Sequence, residues 1–404
     1  MGFEINDQVR ALNAQLQRFM DEHIYPRERE WHEWCHDPEH LWEVPRWYDD
    51  IRDKAKAEGL WNLFLPKEYA PWSPGLTNVE IAPLFETMSK VMWAQSVFNC
   101  NAPDRGNMEV LAKYGTPEQQ EQWLKPLLSG EIRSAYAMTE PQVASSDATN
   151  MELEIRREGD EYVLNGRKWW TTGAVNPRCK IMLVMGKSNP ENDRHRQHST
   201  ILVPRDAPGV KLVRTLRAFD SLHSPGGEAE LLFEDVRVPV SNTIKGEGCG
   251  FEIAQGRLGP GRFQYAMGFV GMAQRCLELM CARAQERVAF GEPLIKKTSI
   301  QHEIARSRCD IEQCRLLTLQ AAEVMDREGL DGARPYISMI KIVAPKMAQE
   351  VADRAMPILG GMGVCQDTMI PDVFTVGRFC RIADGPDEVH MSQLGKLTAR
   401  DLAS

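Results

Sequence analysis

No C-x-x-C pair and no metal-finger spacing occurs among the ten cysteines, which excludes a zinc-ribbon or disulfide-framework protein and predicts reduced thiols in a reducing compartment. No apolar run approaches the ~20 residues of a membrane-spanning helix. The opening MGFEINDQVRALNAQLQRF has no basic stretch leading into an apolar run, so no secretory signal is expected. Asn6 stands where a myristoylation pattern needs Ser or Thr. Positive charge is short as well: 48 Lys and Arg face 57 Asp and Glu, a net charge of −9. Nucleic acid is therefore not an expected partner, because phosphate backbones need a basic face. A few local arginines can still hold a phosphate-bearing cofactor. What remains is a chain of 404 residues, 43% hydrophobic and 26% charged, long enough for a large core and two or three structural units. A soluble intracellular protein is expected, in a bacterial cytoplasm or an organelle matrix.

The hydrophobic period divides the chain into three. Over residues 1–131 it is helical, with Val9, Leu12, Leu16 and Phe19 on one face. Thr116-Pro117-Glu118 reads as a helix cap, a proline in the first turn and an acidic start. Over residues 132–243 the period falls to two. Short strands are predicted from Met151, over Lys180–Met185, Ser199–Val203, Val210–Val213 and Glu230–Phe233, without the alternating helices of a βαβ protein. Over residues 244–404 the helical period returns. Ala266–Ala289, Ile300–Arg327 and Arg334–Met356 are each long enough for a bundle helix, and a last helix is predicted from Pro386 toward Leu397. The fold class is α+β, ordered helical, β, helical.

Five segments carry candidate chemistry. Tyr136-Ala-Met138-Thr139-Glu-Pro, leading to Ser145-Ser146-Asp147, is a polar turn at the entry to the β region. Lys168-Trp-Trp170-Thr-Thr172-Gly is a strand in which alternation sets positions 170 and 172 on one side. Arg287-Val-Ala-Phe290-Gly follows a long helix and offers a planar, permanently charged partner for phosphate. Leu359-Gly-Gly361-Met-Gly ends a helix with glycines that let backbone approach a ligand closely. It is neither G-x-G-x-x-G after a strand nor a Walker loop. Arg381-Ile-Ala-Asp384-Gly385-Pro386-Asp387-Glu388-Val-His390 places carboxylates at a helix start. Singly, each is an ordinary structural feature: a turn, a core tryptophan, a solvated arginine, a helix end, a helix N-terminus.

In this order, and along essentially the whole chain, they resemble the acyl-CoA dehydrogenase family. Asp384 within DGPDEVH, with Gly256-Arg-Leu-Gly-Pro-Gly261-Arg262, resembles most the branch of kinase-fused animal members and their stand-alone bacterial relatives. The resemblance implies an N-terminal helical domain, a middle β-barrel or sandwich and a C-terminal four-helix bundle. It implies FAD, held by Tyr136, Met138, Thr139, Ser145 or Ser146, Trp170, Thr172, Arg287, Phe290, Gly361, Pro386 and Glu388. Ser146 is the better match for a serine that touches acyl-CoA, with Ser145 its rival, and Arg262 and Gly385 are the other substrate contacts. A further flavin contact falls to Thr298 or Gln301. The implied reaction is α,β-dehydrogenation of an acyl-CoA thioester to a 2-enoyl-CoA, with Asp384 as base and Asp387 and Glu388 as nearby rivals. Gly261 occupies the position from which some members supply a substitute base. The implied partners are acyl-CoA, an electron-transfer flavoprotein as acceptor, and further copies of the chain in a homo-tetramer or dimer. Branched or oxygenated acyl chains are expected, with Arg214 and Arg217 as candidates to meet an oxygen substituent. No metal is expected. Two other readings keep the fold: a nitroalkane-oxidase-like flavin oxidase, and a flavoprotein that serves only as a binding module.

Overall fold

The computed structural model describes residues 5–403, the side chains of Leu258 and Pro260 excepted. Eight helices open the chain: α1 Asp7–Phe19, α2 Glu28–His36, α3 Trp47–Ala57, α4 Asn78–Met88, α5 Ala94–Val97, α6 Asp104–Tyr114, α7 Pro117–Gln119 and α8 Lys125–Ser129. Their starts are written in side chains. Asn6 accepts from the Val9 N–H, and Thr77 with Glu80 and Thr116 with Gln119 form reciprocal capping boxes. Val9, Leu16 and Phe19 are buried on α1 as the period predicts, with Leu12 packed at the edge of the core.

Seven strands follow: β1 Arg133–Ala137, β2 Glu154–Glu158, β3 Glu161–Thr172, β4 Cys179–Lys187, β5 His198–Pro204, β6 Val210–Leu216 and β7 Glu228–Pro239. They form one sheet in the order β1-β4-β2-β3-β7-β6, with β5 also paired to β4. Most pairs are antiparallel; β1 and β2 meet β4 in parallel. The two faces differ. Ala135, Ala137, Met182, Val184, Ile201 and Val203 point into the sheet's own core. Tyr136, Ile181, Leu183 and Leu202 point into the core shared with the helices. That is why Lys180–Met185 reads as a continuous apolar run where half-buried strands alternate. β1, which has no counterpart among the strands predicted above, and β3, whose end is the predicted Lys168–Thr172 strand, both carry site residues.

After a short β8–β9 hairpin (Val288–Ala289 and Glu292–Pro293), preceded by the 37-residue α9 Gly250–Glu286, come α10 Thr298–Leu359, α11 Ile370–Phe379 and α12 Asp387–Ala403. Gly329, at φ 70° and ψ −169°, breaks α10 into two arms, where the sequence predicts two helices. α11 was not foreseen. One continuous apolar core joins the N-terminal helices to α9, α10 and α11.

Candidate active site

The loop after β1 is built around a buried ion pair. The Lys168 Nζ donates to Met138 O at 2.7 Å and to Glu140 Oε1 at 2.8 Å, with neither side chain exposed. Glu140 also accepts the N–H groups of Glu152 and Leu153 at 2.7 and 2.8 Å. One carboxylate thus fixes both ends of the segment that carries Met138, Thr139 and the two serines. Ser145 Oγ takes the Glu140 N–H at 2.9 Å and so spends itself inside the loop. Ser146 is exposed.

On β3 the expected alternation fails locally. The register against β7 shifts between Lys168 and Thr171, and Trp170 sits at φ +50°, so a bulge and not a simple pleat aims it. Its ring lies 5.8 Å from that of Phe379 on α11. Phe379 and Thr172 both line a cleft of about 2220 Å³ between the N-terminal helices, the sheet and α11. The Thr172 hydroxyl donates to Glu228 Oε2 at 2.8 Å. Burial pushes the Glu228 carboxyl up to about 7, with the Thr172 hydrogen bond opposing and the Asp384 charge adding to the rise.

Asp384 follows α11 with φ +54°, in the left-handed region that short polar residues tolerate best. Three groups hold the turn around it. Arg262 Nη2 donates to the Asp384 carbonyl at 3.0 Å, the His390 ring nitrogen Nε2 meets the same oxygen at 3.3 Å, and the fully buried Lys341 donates to Cys380 O at 2.7 Å and Gly385 O at 3.2 Å. Arg381 holds the buried Asp387 at 2.7 Å, which takes Asp387 out of the contest for base and fixes the start of α12. Pro386 stands just before that start, and Glu388 is exposed on its first turn.

The carboxylate of Asp384 acts on four cations: Arg105 from α6, Arg257 and Arg262 from α9, and Lys341 from α10. Burial lowers the pKa of each, and the Asp384 charge opposes it in every case. Arg105 is buried and makes only long contacts of 3.3–3.4 Å to Gln95 Oε1, Cys100 O and Gly261 O. Arg257 donates to Asn107 Oδ1 at 3.0 Å and lies 4.1 Å over the Tyr136 ring. Arg105, Arg257, Lys341 and Glu228 were not reached from the sequence. Buried cations on helices look like surface cations until the fold closes over them.

Arg287, Phe290 and Gly361 lie elsewhere. Arg287 and Gly361 line one pocket of about 330 Å³ with Arg283 and Pro357. Phe290, at φ +54°, is 99% exposed. Thr298 opens α10, and Gln301 is spent on Ile295 O at 2.9 Å. Arg214 is occupied by Glu230 at 2.6 Å and Arg217 by Asp220 at 3.4 Å, so Arg214 is not free to meet a substrate group. Among the described residues no cluster of three or more His, Cys, Asp or Glu could hold a metal ion, and no helix is long and apolar enough to cross a membrane.

Family models match the chain from end to end: the acyl-CoA dehydrogenase N-terminal domain over residues 6–131, the middle domain over 135–236 and the C-terminal domain over 248–398. The chain belongs to the acyl-CoA dehydrogenase family. Among its relatives, mouse acyl-CoA dehydrogenase family member 10 is 49% identical over 97% of this chain and 37% of its own length. Human family member 11 is 49% identical over 96% of this chain and 50% of its own. The chain thus spans half or less of these animal relatives. The Mycobacterium tuberculosis protein named "probable acyl-CoA dehydrogenase FadE2" is 46% identical over 98% of this chain and 96% of its own. A solved chain from Mycobacterium abscessus, assigned to the acyl-CoA dehydrogenases, superposes with a TM-score of 0.95 at 45% identity, covering 99% of this chain and all of that one.

Acyl-CoA dehydrogenases are FAD-dependent oxidoreductases acting on CH–CH bonds, and this site suits a flavin. The cleft offers the Phe379 ring, backed by Trp170 at 5.8 Å, and the Thr172 hydroxyl. The Arg262 Nε is a buried polar atom with no partner in the protein, as expected of a group that awaits a ligand.

Proposed function

We propose that the chain is an FAD-dependent acyl-CoA dehydrogenase whose base is Asp384. The observation that carries the reading is the clamp on the Asp384 backbone: Arg262, His390 and Lys341 fix the segment from Cys380 to Gly385 in a left-handed turn. A carboxylate so placed, within the field of buried cations, is held ready for one substrate atom. Asp384 takes the proton α to the thioester carbonyl, and its own N–H is offered to the thioester oxygen as negative charge develops there. The four cations favour that charge. Bound flavin supplies the hydride acceptor for the β hydrogen. Met138, Thr139, Trp170 and Thr172 hold its ring; Ser146 and Gly385 meet the thioester.

The substrate in this reading is a branched or oxygenated acyl-CoA. Arg105 and Arg257 support it: both lie within the field of the Asp384 charge and hydrogen-bond only neutral groups, and Arg105 touches the backbone of Gly261. A plain alkyl chain would add nothing to the Glu109 and Asp384 charges that offset the burial of these guanidiniums. Electron-transfer flavoprotein is the proposed acceptor. Further copies of the chain are the proposed partners of Arg287 and Phe290. Anaerobic titration of the flavin-loaded protein with a panel of thioesters tests the reading. Bleaching by branched or oxygenated acyl-CoA is expected. Bleaching by nitroethane alone refutes the reading in favour of a nitroalkane oxidase.

A further inference from the structure

Thr172 and Glu228 are register partners on β3 and β7, and Glu228 is only 4% exposed. The Thr172 hydroxyl has a single proton, and with Glu228 ionised that proton is spent at 2.8 Å on the carboxylate. Toward the cleft the hydroxyl then presents lone pairs only. With Glu228 protonated the bond reverses: the carboxyl donates to Thr172, and the hydroxyl proton turns into the cleft. We propose that Glu228 inverts the hydrogen-bonding sense of Thr172 as the cofactor changes redox state, a role that rests on the flavin reading above.

The two senses match the two forms of a flavin edge nitrogen, which accepts a hydrogen bond when oxidised and donates one when reduced. A protonated Glu228 therefore suits the oxidised form and an ionised Glu228 the reduced form. The groups facing Glu228 leave both states within reach. Its β6 partner is the apolar Leu216. Thr172 faces it from β3, the Cys380 thiol from the end of α11, and the Asp384 carboxylate from the turn beyond. The groups acting on it are the Thr172 hydroxyl and the Asp384 charge, and burial lifts it to about 7, so small changes beside Thr172 tip its proton. The balance of the reaction is kept. The substrate gives up its α hydrogen as a proton to Asp384 and its β hydrogen, with the bonding pair, to the flavin. Glu228 then adds one separate proton, released through the cleft to water as the flavin is reduced and regained on reoxidation.

Proton release on anaerobic photoreduction of the flavin-loaded protein, followed with a pH indicator in weak buffer, tests this without any substrate. The unmodified protein should release up to one proton per flavin more than Glu228→Gln, with the difference largest near pH 7 and fading on both sides. Thr172→Val keeps the carboxyl but removes the relay, and should lose the same proton. The absorption spectrum of the oxidised flavin should shift with pH in the unmodified protein and stay constant in both variants. A proton count and spectrum in the unmodified protein that do not vary between about pH 5.5 and 8.5 would overturn the proposal, as would identical counts in all three proteins. A protein that comes out colourless and takes up no flavin overturns the cofactor reading instead.

Discussion

The ammonium of Lys168 lies 2.8 Å from a carboxylate oxygen of Glu140, and neither side chain has any exposed surface. Burial drags the lysine down to about 8 while Glu140 pulls the other way, so the pair survives on its hydrogen bonds. Glu140 satisfies two N–H groups besides the ammonium, and Lys168 satisfies the Met138 carbonyl. The pair's task is therefore to shape the loop that presents Thr139 and Ser146. Removing one partner leaves an uncompensated buried charge, and Glu140→Gln or Lys168→Met should each cost ~3–5 kcal/mol. The double variant should cost clearly less than the sum, and all three should retain flavin poorly. Urea unfolding of the four proteins gives the coupling; strictly additive costs would show that the two charges do not depend on each other.

Glu109 sets a pH slope. It is 2% exposed, both carboxylate oxygens lack a hydrogen-bond partner, and burial lifts it from 4.5 to about 7 against the pull of Arg105 and Arg257. The folded chain keeps this proton after the unfolded chain has lost it. Stability is therefore full below pH 4.5 and is lost as pH rises toward 7, by up to ~3 kcal/mol. Glu109→Gln should flatten that decline, gaining on the unmodified protein as pH rises from 5 to about 8. Thermal midpoints measured across this range check the sign; parallel curves for the two proteins would refute it.

The order of helical, β and helical regions was legible because each period persists over tens of residues. Strand ends were less so: the β4 face that meets the helices and the face that meets the sheet core are both apolar, which hides the period of two. Asp384, Trp170 and Thr172 were reached through motif position. The bulge that turns Trp170 was invisible, because positive φ at a tryptophan has no residue signature as it would at glycine. Glu228 and Glu109 were unreadable for another reason. Only the fold shows that a carboxylate at a strand start, or one turn into α6, is sealed from water.

Phe290 and Arg287 give the third test. A phenylalanine that is 99% exposed, beside Val288 at 59%, is an apolar tip that water does not favour. Arg287 and Gly361 border a pocket separate from Asp384. Both facts make sense if a second copy covers the tip and takes the arginine toward its own flavin. Arg287→Ala should leave the fold intact and weaken flavin retention, while Phe290→Ser should weaken assembly. Sedimentation should find a dimer or tetramer; a fully active monomer rules the idea out.

Asp384 is the proposed base, and its backbone dictates how to test it. At φ +54° the left-handed conformation costs most residues ~1–2 kcal/mol, and Asn and Asp least. Asp384→Asn therefore keeps the turn, the size and the N–H while removing the proton acceptor. Flavin should bind as before, and acyl-CoA should still perturb its spectrum, because Arg262 and Lys341 grip backbone carbonyls that the change leaves in place. Reductive bleaching should slow by ~10²–10⁴-fold, the usual contribution of a general base. Asp384→Glu reaches ~1.5 Å further and suits the left-handed turn less well, so partial activity and a changed chain preference are expected. Gly385→Ala attacks the same turn from its other side. At φ +95° it favours glycine, and an added Cβ would come within 2.8 Å of His390 Nε2. Its bleaching should fall while flavin stays bound. Near-normal bleaching by Asp384→Asn would move the base to Glu388, since Arg381 already holds Asp387.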